Sequence, residues 1–138
     1  MVEENVELAR TGLEAFNRGD LETVFSLLDP EVVAFIPVEL PNEGTYYGHD
    51  GFRQMLQQWN EPWEEFEVEP EDFIARGDHV VVPVRQRARG RGSGIEVEAR
   101  LAYVFEIRNA RLVRWELYAD RREALRSVGL PGESAPAG

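Results

Sequence analysis

The chain opens with apolar residues spaced three and four positions apart, which is the pattern of one face of an α-helix. They are Val2, Val6, Ala9, Leu13 and Phe16. Gly19 suits the left-handed conformation that ends many helices, and Asp20 is a typical N-cap for a second helix over residues 21–28. Asp29-Pro30 then closes that helix, because proline cannot continue the helical hydrogen-bond ladder. The first thirty residues therefore predict two successive helices.

A strand, a third helix and a series of strands are predicted next. Residues 31–39 contain Val-Val-Ala-Phe-Ile and predict a strand, in which Pro37 indicates an edge or a bulge. After a loop rich in turn formers, Gly48 begins a helix whose apolar side holds Phe52, Met55, Leu56 and Trp59. Four further strands are predicted over 66–74, 80–89, 95–108 and 112–119, followed by a short helix or tail over 120–128.

Alternation along the later strands predicts which side chains share a face of the sheet. The inward set in the long strand is Ile95, Val97, Ala99, Leu101, Tyr103, Phe105 and Ile107. The inward sets in its two neighbours are Val80, Val82, Val84, Gln86 and Ala88, and Val113, Trp115 and Leu117. These apolar faces must meet the helices, because a half-polar sheet buries only one side. Gln86 and Tyr103 are then polar groups on an apolar inner face.

Charged residues dominate the opposite face of the same strands. Arg85, Arg87 and Arg89 alternate there, and Glu96 and Glu98 lie across the predicted hairpin. This placement predicts a cross-strand charge ladder, with an anion site as the alternative. The glycine-rich segment 90–94 lies between two antiparallel strands and predicts a hairpin turn, not a phosphate loop.

Composition narrows the class of protein. The chain has 138 residues, a formal net charge of −11 and no cysteine. Such an excess of carboxylates argues against nucleic acid and anionic membranes as partners, and the lack of cysteine excludes disulfides and thiol nucleophiles. No stretch approaches the roughly 20 apolar residues of a membrane span, and the acidic N-terminus has no apolar signal core, so the expected location is cytoplasmic. Residues 1–130 are predicted as a single domain, and 131–138 as a disordered C-terminal tail.

The order of these elements resembles the nuclear transport factor 2-like superfamily, and four motifs resemble its SnoaL-like branch. These are Phe16-Asn17-Arg18-Gly19-Asp20, Leu28-Asp29-Pro30-Glu31-Val32-Val33, Tyr47-Gly48-His49-Asp50-Gly51-Phe52 and Tyr118-Ala119-Asp120-Arg121. The resemblance spans about residues 5–125. It implies an α+β fold, a cone-shaped roll in which about three N-terminal helices pack on a strongly curved, mostly antiparallel sheet around a cavity. It also implies a homodimer through the outer sheet face, where Ala102, Val104 and Tyr118 lie.

Three residues are candidates for catalysis within this resemblance. Glu39 ends the first strand on the parity of Val33 and Phe35, at a place similar to that of the base of ketosteroid isomerase. A carboxylate at the mouth of an apolar cavity has a raised pKa, which suits a general base; the alternative is a solvated residue at a loop. Tyr103 lies at a place similar to that of one oxyanion donor of that isomerase, and a phenol could also donate that hydrogen bond. The alternative is a buried tyrosine whose hydrogen bond is only structural.

Asp120 is the third candidate, because SnoaL-type cyclases use an aspartate near this end of the chain as acid or base. Its alternative role is to cap the final helix. The tyrosine that supplies the isomerase's other oxyanion donor corresponds roughly to Gly12, so a complete oxyanion hole is not predicted.

A further set of side chains is predicted to line the cavity, with plain core packing as the alternative. It consists of Phe16, Phe35, Tyr46, Trp59, Trp63, Gln86, Phe105 and Trp115. His49 and His79 lack a ligand partner at suitable spacing, so neither a metal nor a cofactor is predicted. Two functions remain open. One is proton transfer on a small apolar carbonyl compound, as an isomerase, cyclase or lyase; the other is a non-catalytic ligand-binding or dimerisation module.

Overall fold

The computed structural model describes residues 2–37, 40 and 42–131, and in these ranges the chain forms four helices and seven strands. The helices are α1 (Val2–Asn17), α2 (Leu21–Ser26), α3 (Gly48–Asn60) and α4 (Arg121–Ser127). The strands are β1 (Leu28–Ile36), β2 (Gly44–Tyr47), β3 (Trp63–Pro70), β4 (Ile74–Arg76), β5 (His79–Gly90), β6 (Glu96–Arg108) and β7 (Arg111–Tyr118). Of the predicted tail, residues 132–138 lie outside the described residues.

All seven strands belong to one curled sheet in the order β2-β1-β7-β6-β5-β3, with β4 paired to β5. Only the β1–β7 pair is parallel among the pairings of the described strands. The predicted α+β class, with N-terminal helices packed on a mostly antiparallel sheet, is therefore confirmed. The sheet does not close, because β2 and β3 remain at its two edges.

The second helix ends earlier than predicted. Asp20 caps it as expected, since the carboxylate accepts hydrogen bonds from the backbone N–H of Thr23 at 3.1 Å and from its hydroxyl at 2.7 Å. However, α2 stops at Ser26, and Asp29-Pro30 lies inside β1. The physical reason is non-local: Leu28 pairs with Leu112 of β7, and the Leu112 N–H donates to the Leu27 carbonyl at 2.8 Å.

The end of α1 is fastened to the edge strand β3 by one side chain. The Asn17 amide donates to the Val68 carbonyl at 2.7 Å, and the Val68 N–H donates to Asn17 Oδ1 at 2.9 Å. Val68 itself is buried. A side chain thus satisfies both main-chain groups of a buried residue at the edge of the sheet, where a further strand would otherwise be needed.

The outer face of the sheet carries a second, smaller core. Val81, Ala102 and Val104 are buried there beneath Ala124 and Leu125 of α4. Ala102 and Val104 thus lie on the outer face as predicted, but the chain covers them with its own last helix. Tyr118 packs at the margin of the same cluster. The homodimer itself stays a prediction.

Two irregularities change which side chains face inward. In β6–β7 the register shifts after Glu106, so that Ile107 pairs with Leu112 and Val113 is left without a register partner. Leu112 is consequently buried on the inner face, whereas Val113 was predicted there. In β1, Val32, Ala34 and Ile36 are buried, and their neighbours lie on the other face.

The predicted charge ladder forms mostly with a different strand. Arg85 forms a hydrogen-bonded ion pair with Glu69 of β3, and Arg87 lies 3.6 Å from Glu67. Only Arg89 makes the predicted contact across the β5–β6 hairpin, with Glu96 at 3.1 Å. The hydrogen bond from Arg85 lowers the pKa of Glu69. Because these side chains are substantially exposed, the ladder contributes little stability pair by pair.

Candidate functional site

An apolar cavity of about 80 Å³ lies between the helices and the inner face of the sheet. Helix α1 contributes its apolar face to the wall, and α3 contributes three residues of the side that its spacing predicts to be buried. Strands β3, β6 and β7 form the opposite wall. Representative lining residues are Leu13, Phe16, Phe52, Leu56, Val68 and Leu112. No carboxylate, histidine, lysine or arginine lines this cavity among the described residues.

Tyr103 places a hydroxyl group in this apolar wall. It is 3% exposed, and its oxygen accepts a hydrogen bond from the Gln86 side-chain N–H, which is also buried. Burial raises the pKa of the Tyr103 hydroxyl well above its usual value, and the hydrogen bond from Gln86 opposes that shift without cancelling it. The group therefore stays protonated at neutral pH. Because its oxygen accepts from Gln86, the hydroxyl proton remains available to a neighbouring acceptor.

Trp115 lies beside Tyr103 at the centre of an aromatic cluster. Its ring is edge-on to Tyr103, with centroids 5.1 Å apart, and contacts Phe52, Trp59 and Phe105 at 5.7, 6.1 and 6.5 Å. The residue is 7% exposed, and its indole Nε1–H has no hydrogen-bond partner within the described part of the chain. A buried donor without a partner is uncommon, since leaving one unpaired costs free energy.

A second cavity of about 200 Å³ adjoins the first on the side of the β5–β6 hairpin. It is lined by Leu40, Asn42, Trp63, Gln86 and Leu101, among others. Trp59 and Phe66 line both cavities, and their rings meet edge to face with centroids 5.8 Å apart. These two side chains therefore form the boundary between the inner cavity and this outer cavity.

The structure distributes the predicted lining residues over three places. Phe16, Trp59, Phe105 and Trp115 lie on the wall of the inner cavity, together with Tyr103. Trp63 and Gln86 line the outer cavity, which Trp59 also borders.

The other two predicted residues lie elsewhere. Phe35 is 36% exposed on the outer face of β1, so its placement in the cavity was wrong. The prediction failed because the inward parity of β1 belongs to Ala34 and Ile36. Tyr46 lines neither cavity and donates a hydrogen bond to the Asn42 carbonyl at 2.8 Å.

Neither of the two candidate carboxylates, Glu39 and Asp120, is found at the cavity within the described residues. Glu39 lies outside the described residues, so its place at the mouth of the cavity stays a prediction. Asp120 is exposed, accepts the Arg122 N–H at 2.8 Å and caps α4, which packs on the outer face of the sheet. The described geometry thus gives Asp120 its alternative role as a helix cap, and it does not line the inner cavity.

Several wall residues were not predicted as such. Phe52 and Leu56 could have been predicted from the sequence, because their helical spacing places them on the same face of α3 as Trp59. Leu112 could not, because strand alternation places Val113 inward, and only the bulge at Val113 turns Leu112 toward the cavity. Gly12 also lines the inner cavity, and an added Cβ would meet Leu27 Cδ1 at 3.7 Å, an ordinary van der Waals contact that requires no rearrangement.

Comparison with known proteins agrees with this architecture. The model of the SnoaL-like domain matches residues 9–115. An NTF2-like protein of unknown function from Burkholderia pseudomallei is 27% identical, with 91% of this chain and 98% of that chain covered and a TM-score of 0.77. No curated protein matches the sequence significantly.

Two further structures share the fold at lower identity. TerC, co-crystallised with polyporic acid, is 23% identical with a TM-score of 0.76, covering 91% of this chain and 97% of that one. A putative polyketide cyclase from Sinorhizobium meliloti is 18% identical with a TM-score of 0.67, covering 80% and 93%. In the described part of this chain, no helix is long and apolar enough to cross a membrane.

Proposed function

Because the chain belongs to the SnoaL-like domain family, we propose that it binds a small, largely apolar molecule in the inner cavity. The observation that carries the proposal is an apolar cavity with Tyr103 at its wall, whose hydroxyl group is hydrogen-bonded to the buried Gln86. Its volume of about 80 Å³ is well above the roughly 10–15 Å³ that a single water needs. Small-molecule sites commonly combine mostly apolar walls with few polar groups that set orientation.

The similar structures support a small-molecule ligand without naming it. TerC was crystallised with polyporic acid, and the protein from Sinorhizobium meliloti is described as a putative polyketide cyclase. The absence of a charged residue from the described wall favours a neutral ligand, since an ion would lose its hydration without a partner.

Filling the cavity from Gly12 tests the proposal. The probes are apolar ketones, phenols, steroids and polyketide-like aromatics, and their binding is measured as a shift in the melting temperature of the protein. We expect at least one class to raise the melting temperature of the wild type, by about 5 °C when the ligand is far above its Kd. Gly12→Leu is expected to abolish that shift, because Gly12 lines the cavity and a leucine side chain there should fill part of it, while leucine suits the helix better than glycine.

The matched control is Glu14→Leu, which adds the same side chain to an exposed position of the same helix. It should retain the ligand-induced shift. Circular dichroism shows that both variants are folded. Equal binding by the wild type and a folded Gly12→Leu variant would place the ligand outside the inner cavity.

Proton transfer is the second candidate function, favoured by the protonated Tyr103 hydroxyl in the apolar wall. In this reaction Glu39 removes a proton from the carbon beside a carbonyl group, and Tyr103 donates a hydrogen bond to the developing oxyanion. We expect Glu39→Gln to slow deuterium exchange at that carbon by about 100-fold or more. Glu43→Gln, which changes a nearby exposed carboxylate, should leave the rate unchanged. Exchange at the wild-type rate in Glu39→Gln would remove Glu39 from the mechanism.

A further inference from the structure

The indole N–H of Trp115 is a donor that the described part of the protein leaves unpaired. Its nitrogen is buried, it has no partner among the described residues, and the ring that carries it lines the inner cavity. Elsewhere on the same wall, the Tyr103 oxygen accepts a hydrogen bond from Gln86. An unpaired buried donor beside a cavity is explained if the cavity's ligand supplies the acceptor.

We propose that Trp115 anchors the ligand by donating its Nε1–H to a neutral carbonyl oxygen. This inference rests on the proposed ligand-binding function and adds to it the chemical class of the ligand. A tryptophan nitrogen can only donate, so the ligand atom that meets it must be an acceptor. The apolar wall excludes a carboxylate or phosphate as that acceptor, because no cation lines the cavity in the described residues to balance the charge.

The position of Tyr103 strengthens the choice of a carbonyl group. Its ring centroid lies 5.1 Å from that of Trp115, and its hydroxyl proton is left over after the oxygen accepts from Gln86. A carbonyl oxygen has two lone pairs and therefore accepts from two donors, whereas a hydrocarbon ligand would leave both unpaired. Trp115 is thus a specificity-determining residue that selects carbonyl compounds over hydrocarbons of the same shape.

A matched pair of probes isolates this single hydrogen bond. Cyclopentanone and methylenecyclopentane have the same ring and nearly the same shape, but only the ketone has an acceptor. We expect the wild type to bind the ketone about tenfold more tightly, as one hydrogen bond to a buried donor implies. In ¹H–¹⁵N spectra, the indole N–H signal of Trp115 should move downfield with the ketone and not with the hydrocarbon.

Trp115→Phe should remove the preference for the ketone while leaving an aromatic ring in the wall. The matched control is Trp59→Phe, which trims another tryptophan of the same cavity and should keep the preference. The absence of the Trp115 signal in Trp115→Phe also assigns the resonance.

The outcomes separate this inference from the function on which it rests. Equal affinity of the wild type for both probes would overturn the role of the N–H, while leaving apolar binding in place. If Trp115→Phe weakened the affinity for both probes equally, Trp115 would contribute only apolar contact and not a hydrogen bond. Binding of neither probe to the wild type, even at millimolar concentration, would contradict both proposals.

Discussion

Replacing Leu125 by alanine is expected to lower the free energy of unfolding by about 3 kcal/mol, the usual cost of truncating a fully buried leucine. Leu125 is 0% exposed and belongs to the small core between α4 and the outer face of the sheet. Its partners Val81, Ala102 and Val104 are central residues of β5 and β6. The helix has only seven residues, so its stability comes from this packing and not from its own hydrogen bonds.

Urea unfolding followed by circular dichroism measures the effect. Arg122→Ala is the control, because Arg122 is an exposed neighbour on the same helix and its loss should change the free energy of unfolding by less than about 0.5 kcal/mol. A cost below about 1 kcal/mol for Leu125→Ala would mean that α4 does not cover the sheet as a cooperative part of the fold.

The same variant bears on the predicted homodimer. If α4 covers Ala102 and Val104, these positions cannot form a dimer interface unless the helix moves away. Sedimentation of the wild type at micromolar concentration shows whether a dimer exists. A wild-type dimer that persists in Leu125→Ala would lie on another surface, and a dimer formed only by the variant would use the newly uncovered apolar residues.

Replacing Asn17 by alanine is expected to lower the free energy of unfolding by about 2 kcal/mol, because two hydrogen bonds are lost and two main-chain groups are left unpaired. The groups are the N–H and C=O of Val68, which face away from β5 at the edge of the sheet. Val68 also lines the inner cavity, two residues after Phe66 at the cavity boundary. The loss should therefore loosen the β3 wall of the site as well as the fold.

Hydrogen exchange at the Val68 amide gives a readout specific to this contact. The amide should exchange faster in Asn17→Ala, by more than the change in global stability explains. Arg18→Ala is the matched control, since Arg18 makes an exposed ion pair with Asp20 at 3.3 Å, a type of contact worth no more than about 1 kcal/mol. Unchanged protection of Val68 in a folded Asn17→Ala variant would contradict the bidentate contact.

Local patterns in the sequence identified most of the helices and strands, and the family resemblance supplied their arrangement. The three- and four-residue spacing of α1 and the cap at Asp20 identify helices without reference to the rest of the chain. The two-residue alternation of β5 places Val80, Val82 and Val84 on the inner face, because side-chain direction in a regular strand depends only on the count of residues. The same count in β6 places Tyr103 inward, where the structure has it.

Contacts between segments far apart in the chain determined the strand register, the start of β1 and the surface that α4 covers. The bulge at Val113 brings Leu112 into the cavity, and the pairing of Leu28 with Leu112 starts β1 where a helix was predicted to continue. Which surface a short helix such as α4 covers is likewise invisible in its own residues. These features depend on strand register and packing, which no local periodicity specifies.

For the candidate site, too, some features follow from the local sequence and others only from the tertiary structure. The sequence by itself determined that an apolar inner face carries two polar groups, Gln86 and Tyr103, because residue type and strand parity are both local properties. Only the tertiary structure decided that these groups bond to each other, and that the Trp115 N–H, beside a cavity, has no partner among the residues described. The physical reason is that a hydrogen bond is made or left unmade by positions in space, to which residues far apart in the chain contribute.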